Sequence, residues 1–377
     1  MNDRPRRVLF IVNSLCVGGA ERHVITLLNH LDTQRFRLSL ACLKPEAAQL
    51  PHLRQERLAN ITWCNVGKGF EWHAIRRLAD LIINDDIDTL VCTNQYSMVY
   101  GFLARRLVRR PVRLVEVLHT TLVAGLKEQL QMWLYRPVFS RCDLLVYVSE
   151  NQRGYWRSRG LRARADRVIH NGVDTDFYAP GPAAAALQLR SELGFAATDY
   201  LIGICAALRP EKYHLDLLEA VRRLRERGIG ACLLIIGDGP ERARIEQQVG
   251  QLGLQQQVRI TGFQPDVRPF IGACDVMSLV SRSVETFSLA ALESLSLGKP
   301  VVMSNVGGAS EQIVPGVNGY LFERGDIGAL TDCLLRLAAQ RPDEAMARAA
   351  RDSVVGRYTL PRMLEQFSTC LSEDTGA

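Results

Sequence analysis

The chain has 377 residues, 47% of them hydrophobic and 23% charged, with a formal net charge of +6. That is globular composition, and the length favours about two domains, each able to bury a core. No run of about 18 uncharged apolar residues occurs, which argues against a spanning bundle. The ten scattered cysteines, with no C-x-x-C pair, argue against a zinc site or disulfide framework and suit a reducing cytoplasm.

The N-terminal "RPRRVLFIV" puts basic residues before an apolar run. The run is only about six residues, too short for a signal peptide, and reads as a first buried strand. "GGAERHVITLLNHL" then has helical spacing. Strands follow at "FRLSLACL", "DTLVCTN", "VRLVEVLH", "DLLVYVS" and "RVIHNGVD", most followed by a helix-like stretch. "YAPGPAAAALQLR" reads as a connector. The alternation restarts at "YLIGICAAL" and continues through "ACLLIIGDG", "VRITGF", "DVMSLVS" and "PVVMSNV". Near-continuous apolar strands alternating with helices predict parallel sheets covered on both faces. Two such doubly wound units bind ligands at the strand C-termini.

The segment "VETFSLAALESLSLGKP" carries the most informative chemistry. It places Glu285 in a loop and Glu293 on a helix predicted over about 287–297 and stopped by Gly298. The helix start offers the N–H groups of Phe287, Ser288 and Leu289 to an anion. Acids flanking an anion site suit hydroxyls on the same ligand, so the pattern fits a sugar, a diphosphate and a ribose in line. The competing reading makes Glu285 a helix-dipole partner and Glu293 a solvated residue. Four further features fall at strand ends: Arg209 and Lys212 in "RPEKYH", Gly237 in "GDGPER", Gly262 in "TGF", and Gly307 with Gly308. The cations suit a diphosphate. In the first half, Gly18 and Gly19 allow backbone to approach a phosphate, although the spacing is not G-x-G-x-x-G.

With "GGAER", "HNGVD", "RPEKYH", "GDGPER" and "ETFSLAALESLSLGKPVVMSNVGGASEQIVPGVNGYLF" in one chain, the sequence resembles the retaining glycosyltransferases of family GT4. The resemblance implies an α/β GT-B fold, two doubly wound Rossmann-like domains facing each other across a cleft. We place the domains at 1–180 (acceptor side) and 181–356 (nucleotide sugar), with a helix over 357–377 returning to the first. The resemblance further implies transfer of a hexose or N-acetylhexosamine from a UDP- or GDP-sugar, without metal or other cofactor. On this match Arg209 and Lys212 bind the diphosphate, Glu293 the ribose and Glu285 the sugar. Backbone at Gly18, Gly19, Phe287, Ser288 and Leu289 meets phosphate and sugar, and Gly237 and Gly262 lie near the nucleotide. His119 is expected beside sugar and acceptor, hydrogen bonding or helping proton transfer; His170 is the rival histidine, a turn stabiliser.

Residues 1–175 hold 26 Lys+Arg and 16 Asp+Glu, net +10; the remainder holds 20 and 24, net −4. The excess sits in "LARRLVRRPVR" and "RGYWRSRGLRARADR", with Trp133, Tyr135, Tyr155 and Trp156 nearby. It suits an anionic acceptor or an anionic membrane surface; no nucleic-acid motif accompanies it. The expectation is a cytoplasmic enzyme, peripheral at the inner face of the membrane, acting on a glycan or lipid-linked acceptor in cell-surface polysaccharide or lipopolysaccharide synthesis. A nucleotide-sugar 2-epimerase, a sugar phosphorylase and a bilobal sugar-binding protein stay open as alternatives.

Overall fold

A computed structural model describes residues 4–67, 69–120, 126–283, 285–341 and 343–373. The chain divides into two compact units, residues 1–171 with 361–377, and residues 172–360. The division falls at Asn171 rather than 180, because Val173 bridges Thr359 within the second unit.

The first unit holds a seven-stranded parallel sheet. Its strands are β1 (Arg6–Val12), β2 (Phe36–Cys42), β3 (Leu58–Trp63), β4 (Thr89–Thr93), β5 (Arg113–Leu118), β6 (Leu144–Tyr147) and β7 (Ala165–Val168). Their order is β3-β2-β1-β4-β5-β6-β7. β1 pairs in register with β2 from Arg6↔Phe36 to Val12↔Cys42. Val8 to Ile11 are fully buried because helices cover both faces of this strand. Leu78 and Ile82 of helix Trp72–Asn84 and Tyr100 of helix Asn94–Leu107 share a core with Leu9, Ile11 and Leu114.

Helix Leu360–Ser372 lies mostly in this unit and buries Met363, Phe367, Cys370 and Leu371. Buried Arg113 donates to the carbonyls of Cys370 and Glu373, and Arg167 Nη2 pairs with Glu373 Oε1 at 2.6 Å. The apolar stripe read at 360, 363, 364 and 367 thus continues to 371. Residues 374–377 of the expected tail helix lie outside the described residues.

The second unit holds a six-stranded parallel sheet: β8 (Tyr200–Cys205), β9 (Ala231–Ile236), β10 (Val258–Ile260), β11 (Val276–Leu279), β12 (Val301–Ser304) and β13 (Gly319–Phe322). Their order is β10-β9-β8-β11-β12-β13. Ile202, Ile204, Leu233 and Ile235 pack with Leu217, Val221, Leu330 and Leu334. The segment read as a connector is instead helix Ala183–Glu192, docked on this unit. Its alanine run has high helix propensity. Its Arg190 is buried, donating to Ala273 O at 2.6 Å and Asp275 Oδ1 at 2.7 Å.

Both sheets reverse their winding at one place, between β1 and β4 and between β8 and β11. In doubly wound sheets the strand C-termini at such a reversal form the ligand crevice. The fold is α/β, with a doubly wound parallel sheet in each unit.

Candidate functional site

In the second unit the turn after β8 carries Arg209 and Lys212. Pro210–Lys212 is one 3-10 turn, and Lys212 N–H donates to Arg209 O at 3.1 Å. Tyr213 follows in the left-handed region at φ +50 and starts helix His214–Glu226. Arg209 is exposed and Lys212 half-buried. A cavity of about 360 Å³ opens beside this turn, lined by Arg209, Tyr213, His214, Asp216, Glu241 and Arg282 among others. Arg282 clamps Asp216 with two bonds of 2.7 and 2.8 Å and lies over the Tyr213 ring. Burial, with Lys212 adding, pushes His214 down to about 4, so this imidazole is neutral.

The loop after β11, the strand beside β8, carries Glu285. Its Oε1 accepts from Lys212 Nζ and from Ser281 Oγ, the latter at 3.1 Å. Cation and acid therefore meet across the β8/β11 reversal. Gly307, after β12, closes on the same loop from the other side. It adopts φ +60, and a Cβ there would overlap the Glu285 carbonyl oxygen. Gly308 N–H donates to Thr286 O at 2.9 Å. The Gly-Gly pair thus holds the acid's backbone.

The helix beyond Glu285 spans Leu289–Ser296, two residues shorter at its start than expected, and Gly298 closes it at φ +71. Ser288 is the N-cap, its hydroxyl accepting from Ala291 N–H at 3.3 Å. The expected use of Ser288 N–H for an anion is corrected: it donates to Gln312 Oε1 at 3.0 Å, while Gln312 Nε2 returns 2.9 Å to Ser288 O. The N–H groups of Leu289 and Ala290 carry no hydrogen bond among the described residues. The open positive end of the helix therefore lies there rather than over 287–289. Gln312 was not singled out in the sequence; nothing in "GGASEQIV" separates its role from that of Glu311.

Glu293, one turn on, is 2% exposed. A carboxylate so buried requires partners, and the solvated-residue reading is overturned. Gly237 and Gly262 bridge each other, joining the loops after β9 and β10. Gly237 sits at φ +146, where a Cβ would overlap the Ala206 carbonyl oxygen. Phe263, the neighbour of Gly262, is 64% exposed. Arg209, Lys212, Gly237, Gly262, Glu285 and Leu289 all lie on loops or helix starts at the C-terminal edge of one sheet.

In the first unit Gly18 caps helix Gly19–His30. A Cβ on Gly18 would overlap the Glu21 carboxylate, whereas Gly19 faces open space. Gln49 Nε2, another residue missed in the sequence, holds this loop at Cys16 O (2.7 Å) and Gly18 O (3.2 Å). His119 follows β5. Its N–H donates to Asn94 Oδ1 at 2.9 Å, and Asn94 takes φ +66 at the end of β4. The His119 ring lies 4.8 Å from that of His23, edge to face. Burial and the neighbouring His23 push His119 well below its ordinary value. Burial pushes His23 down to about 4, against a hydrogen bond with Asn171. Both imidazoles are neutral near pH 7. Through that bond Asn171 ties "HNGVD" to the His23 ring. Among the described residues no group of three or more His, Cys, Asp or Glu side chains is arranged to hold a metal ion.

Residues 187–353 match the family described as "Glycosyl transferases group 1", and residues 17–177 match "Glycosyltransferase Family 4". The chain is a GT4 glycosyltransferase of the GT-B fold. It is 27% identical over 274 residues to an N-acetyl-alpha-D-glucosaminyl L-malate synthase of Bacillus anthracis, covering 72% of this chain and 70% of the relative. It is 29% identical to a GDP-mannose-dependent alpha-(1-6)-phosphatidylinositol monomannoside mannosyltransferase of Mycolicibacterium smegmatis, covering 75% and 74%. Among solved structures, Anabaena Alr3699/HepE in complex with UDP-glucose is 25% identical, with a TM-score of 0.85 over 97% of this glycosyltransferase and 99% of that chain.

Proposed function

We propose that this glycosyltransferase moves a hexose or N-acetylhexosamine from a UDP- or GDP-sugar to a hydroxyl of a glycan or lipid-linked acceptor, with retention and without metal. We place it in cell-surface polysaccharide or lipopolysaccharide synthesis, as a cytoplasmic enzyme peripheral at the inner membrane face. One observation carries the donor reading. The Arg209–Lys212 turn, Glu285 and the open N–H groups of Leu289 and Ala290 gather at the winding reversal of one sheet. Cations and helix N–H groups suit a diphosphate, and an acid beside them suits a sugar hydroxyl. The complex of Alr3699/HepE with UDP-glucose supports a nucleotide-sugar donor.

The chemistry follows from the charges. Cleavage of the anomeric bond builds positive charge on the sugar and negative charge on the departing diphosphate. Arg209, Lys212 and the helix N–H groups stabilise that anion. Lys212 has three donors and spends one on Glu285, so it can hold the acid and a phosphate together. Glu285 accepts from hydroxyls of the transferred sugar, Glu293 from ribose, and Phe263 with Gly237 and Gly262 flanks the base. The departing phosphate oxygen takes the acceptor proton. In the first unit, Gly18 and Gly19 present backbone to the phosphate and sugar. A neutral His119 is a hydrogen-bond partner for sugar or acceptor and a weak base, which favours positioning over proton abstraction.

The test is incubation with UDP-glucose, UDP-N-acetylglucosamine and GDP-mannose, with and without EDTA, reading slow release of nucleotide diphosphate. Release from one donor, unchanged by chelation, supports the reading. No release from any of them, together with no binding of UDP or GDP, would remove it.

A further inference from the structure

Helix Leu126–Phe139 of the first unit is apolar on two sides. Inward, Met132 and Phe139 are buried in the core and Tyr135 and Val138 pack against it. Outward, Leu130 (59% exposed), Trp133 (57%) and Leu134 (57%) face away, and Pro137 continues the same face, exposed as well. Positions 130, 133, 134 and 137 follow the i, i+3, i+4, i+7 spacing of a single helix stripe. Scattered exposed apolar residues need no explanation; a stripe of this kind, with no partner among the described residues, does.

Of the arginines in or just after this helix and in the two basic segments, some are ion-paired and others are not. Arg105 pairs with Asp143, Arg110 with Asp86, and Arg153 and Arg157 with Asp166. These are committed to the fold. Arg136, Arg141 and Arg159 have no ion pair among the described residues, and all three are exposed. They gather at the last turn of the stripe. Arg136 donates to Arg159 O, Arg141 Nη1 donates to Pro137 O at 2.7 Å, and the Arg159 guanidinium stacks 3.6 Å from the Tyr155 ring centroid. No acidic residue occurs from 129 to 142.

We propose that this face is the seat of the protein on an anionic lipid surface: Leu130, Trp133, Leu134 and Pro137 enter the interface, and Arg136, Arg141 and Arg159 meet the headgroup phosphates. It rests on the peripheral-membrane part of the proposed function and names the surface responsible. A lipid surface fits better than a protein partner because the feature is one narrow helix stripe, with an interfacial Trp and uncompensated guanidiniums beside it. An interfacial helix buries its apolar face at the headgroup boundary, and its basic residues add electrostatic attraction.

The full chain is sedimented with phosphatidylcholine vesicles and with vesicles also containing phosphatidylglycerol, across a salt series. Binding is expected only with the anionic lipid, weakening as salt rises. Arg136→Gln/Arg141→Gln/Arg159→Gln should lower it by roughly a hundredfold. Trp133→Gln/Leu134→Gln should lower it even at low salt, where the arginines are unscreened. Both variants should keep wild-type melting and donor hydrolysis, since every changed side chain is exposed and none is among the proposed donor residues. If the wild type binds anionic vesicles and both variants bind equally well, this surface assignment fails while peripheral attachment stands. If the wild type binds neither vesicle, both fail. Self-association lost in the Trp133 variant without any vesicle binding would make the stripe a protein interface and overturn the proposal.

Discussion

Lys212 and Glu285 are ion-paired across the winding reversal of the second sheet, one side chain from the turn after β8 and the other from the loop after β11. Ser281 adds a second donor to the same carboxylate oxygen. The pair splits the expected effects of the two cations. Arg209→Ala should weaken UDP or GDP binding by about tenfold to a hundredfold, the loss of one charge-assisted contact worth roughly 1.5–3 kcal/mol. Lys212→Ala should do the same and also lower turnover beyond the affinity loss, because it frees the Glu285 side chain. Calorimetry and donor-hydrolysis rates measure the two parts. Unchanged affinity in both variants would take the cations out of the site.

The two acids should separate by readout. Glu285→Ala should leave binding of bare nucleotide diphosphate nearly intact and cut donor turnover at least tenfold, because its proposed partner is the sugar. Glu293 is too buried for a clean alanine test, since a cavity would add its own cost. Glu293→Gln keeps the shape and should weaken bare nucleotide binding through the ribose. Normal sugar transfer by Glu285→Ala would sink the assignment.

His23 supplies a pH test. Its folded value of about 4 lies below the ordinary value near 6.5, so it takes up a proton on unfolding between the two. Its contribution is complete above about pH 6.5 and is lost as pH falls toward 4. Between about pH 7.5 and pH 5 the loss amounts to about 2 kcal/mol. His23→Gln, which does not titrate, should flatten the fall in urea stability over that range. An unaltered slope would mean that His23 is already paired or solvated enough to titrate normally.

Much of the fold was legible because parallel strands buried on both faces read as apolar runs, as β1, β4, β5, β8 and β9 do. β3 was not: at the sheet edge, four of its six residues are half-buried, one is exposed, and "LANITW" shows no clear run. Ala183–Glu192 read as a connector since Pro and Gly precede it, whereas Arg190 anchors it as a helix. Glu285, Glu293 and the cations were visible by residue type and spacing. The capture of Ser288 N–H by Gln312 was not, because it joins residues 24 positions apart. Likewise His23 meets His119 only through packing, and which arginines are committed to aspartates depends on where Asp86, Asp143 and Asp166 fall in space.

Glu116 is fully buried in β5, and neither carboxylate oxygen has a hydrogen-bond partner among the described residues. Burial raises its value well above the ordinary carboxyl range, so it is protonated in the fold. Its contribution is therefore complete at acid pH and is lost as pH rises through the raised value. Glu116→Leu should stabilise the protein by a margin that grows as pH rises above the ordinary carboxyl range. A thermal-melting series of both proteins measures the margin; a constant difference would mean that Glu116 does not titrate between the two states.

Gly307 offers the sharpest test of how the site is held. It sits at φ +60, and a Cβ there would overlap the Glu285 carbonyl oxygen. Gly316 also sits in the left-handed region, at φ +79, but with nothing within 4 Å of a Cβ. Alanine at either position adds backbone strain of about 1 kcal/mol. Only at 307 must the backbone of Glu285 and Thr286 move, and a displacement near 1 Å costs about a hundredfold in rate when it misplaces a positioning group. Gly307→Ala should therefore lose most donor turnover as well as stability, whereas Gly316→Ala should lose only the smaller increment of stability and keep its turnover. Melting temperature and hydrolysis rate, measured on both, separate strain from displacement. Equal turnover in the two variants would show that the approach of Gly307 to Glu285 is not what positions the acid.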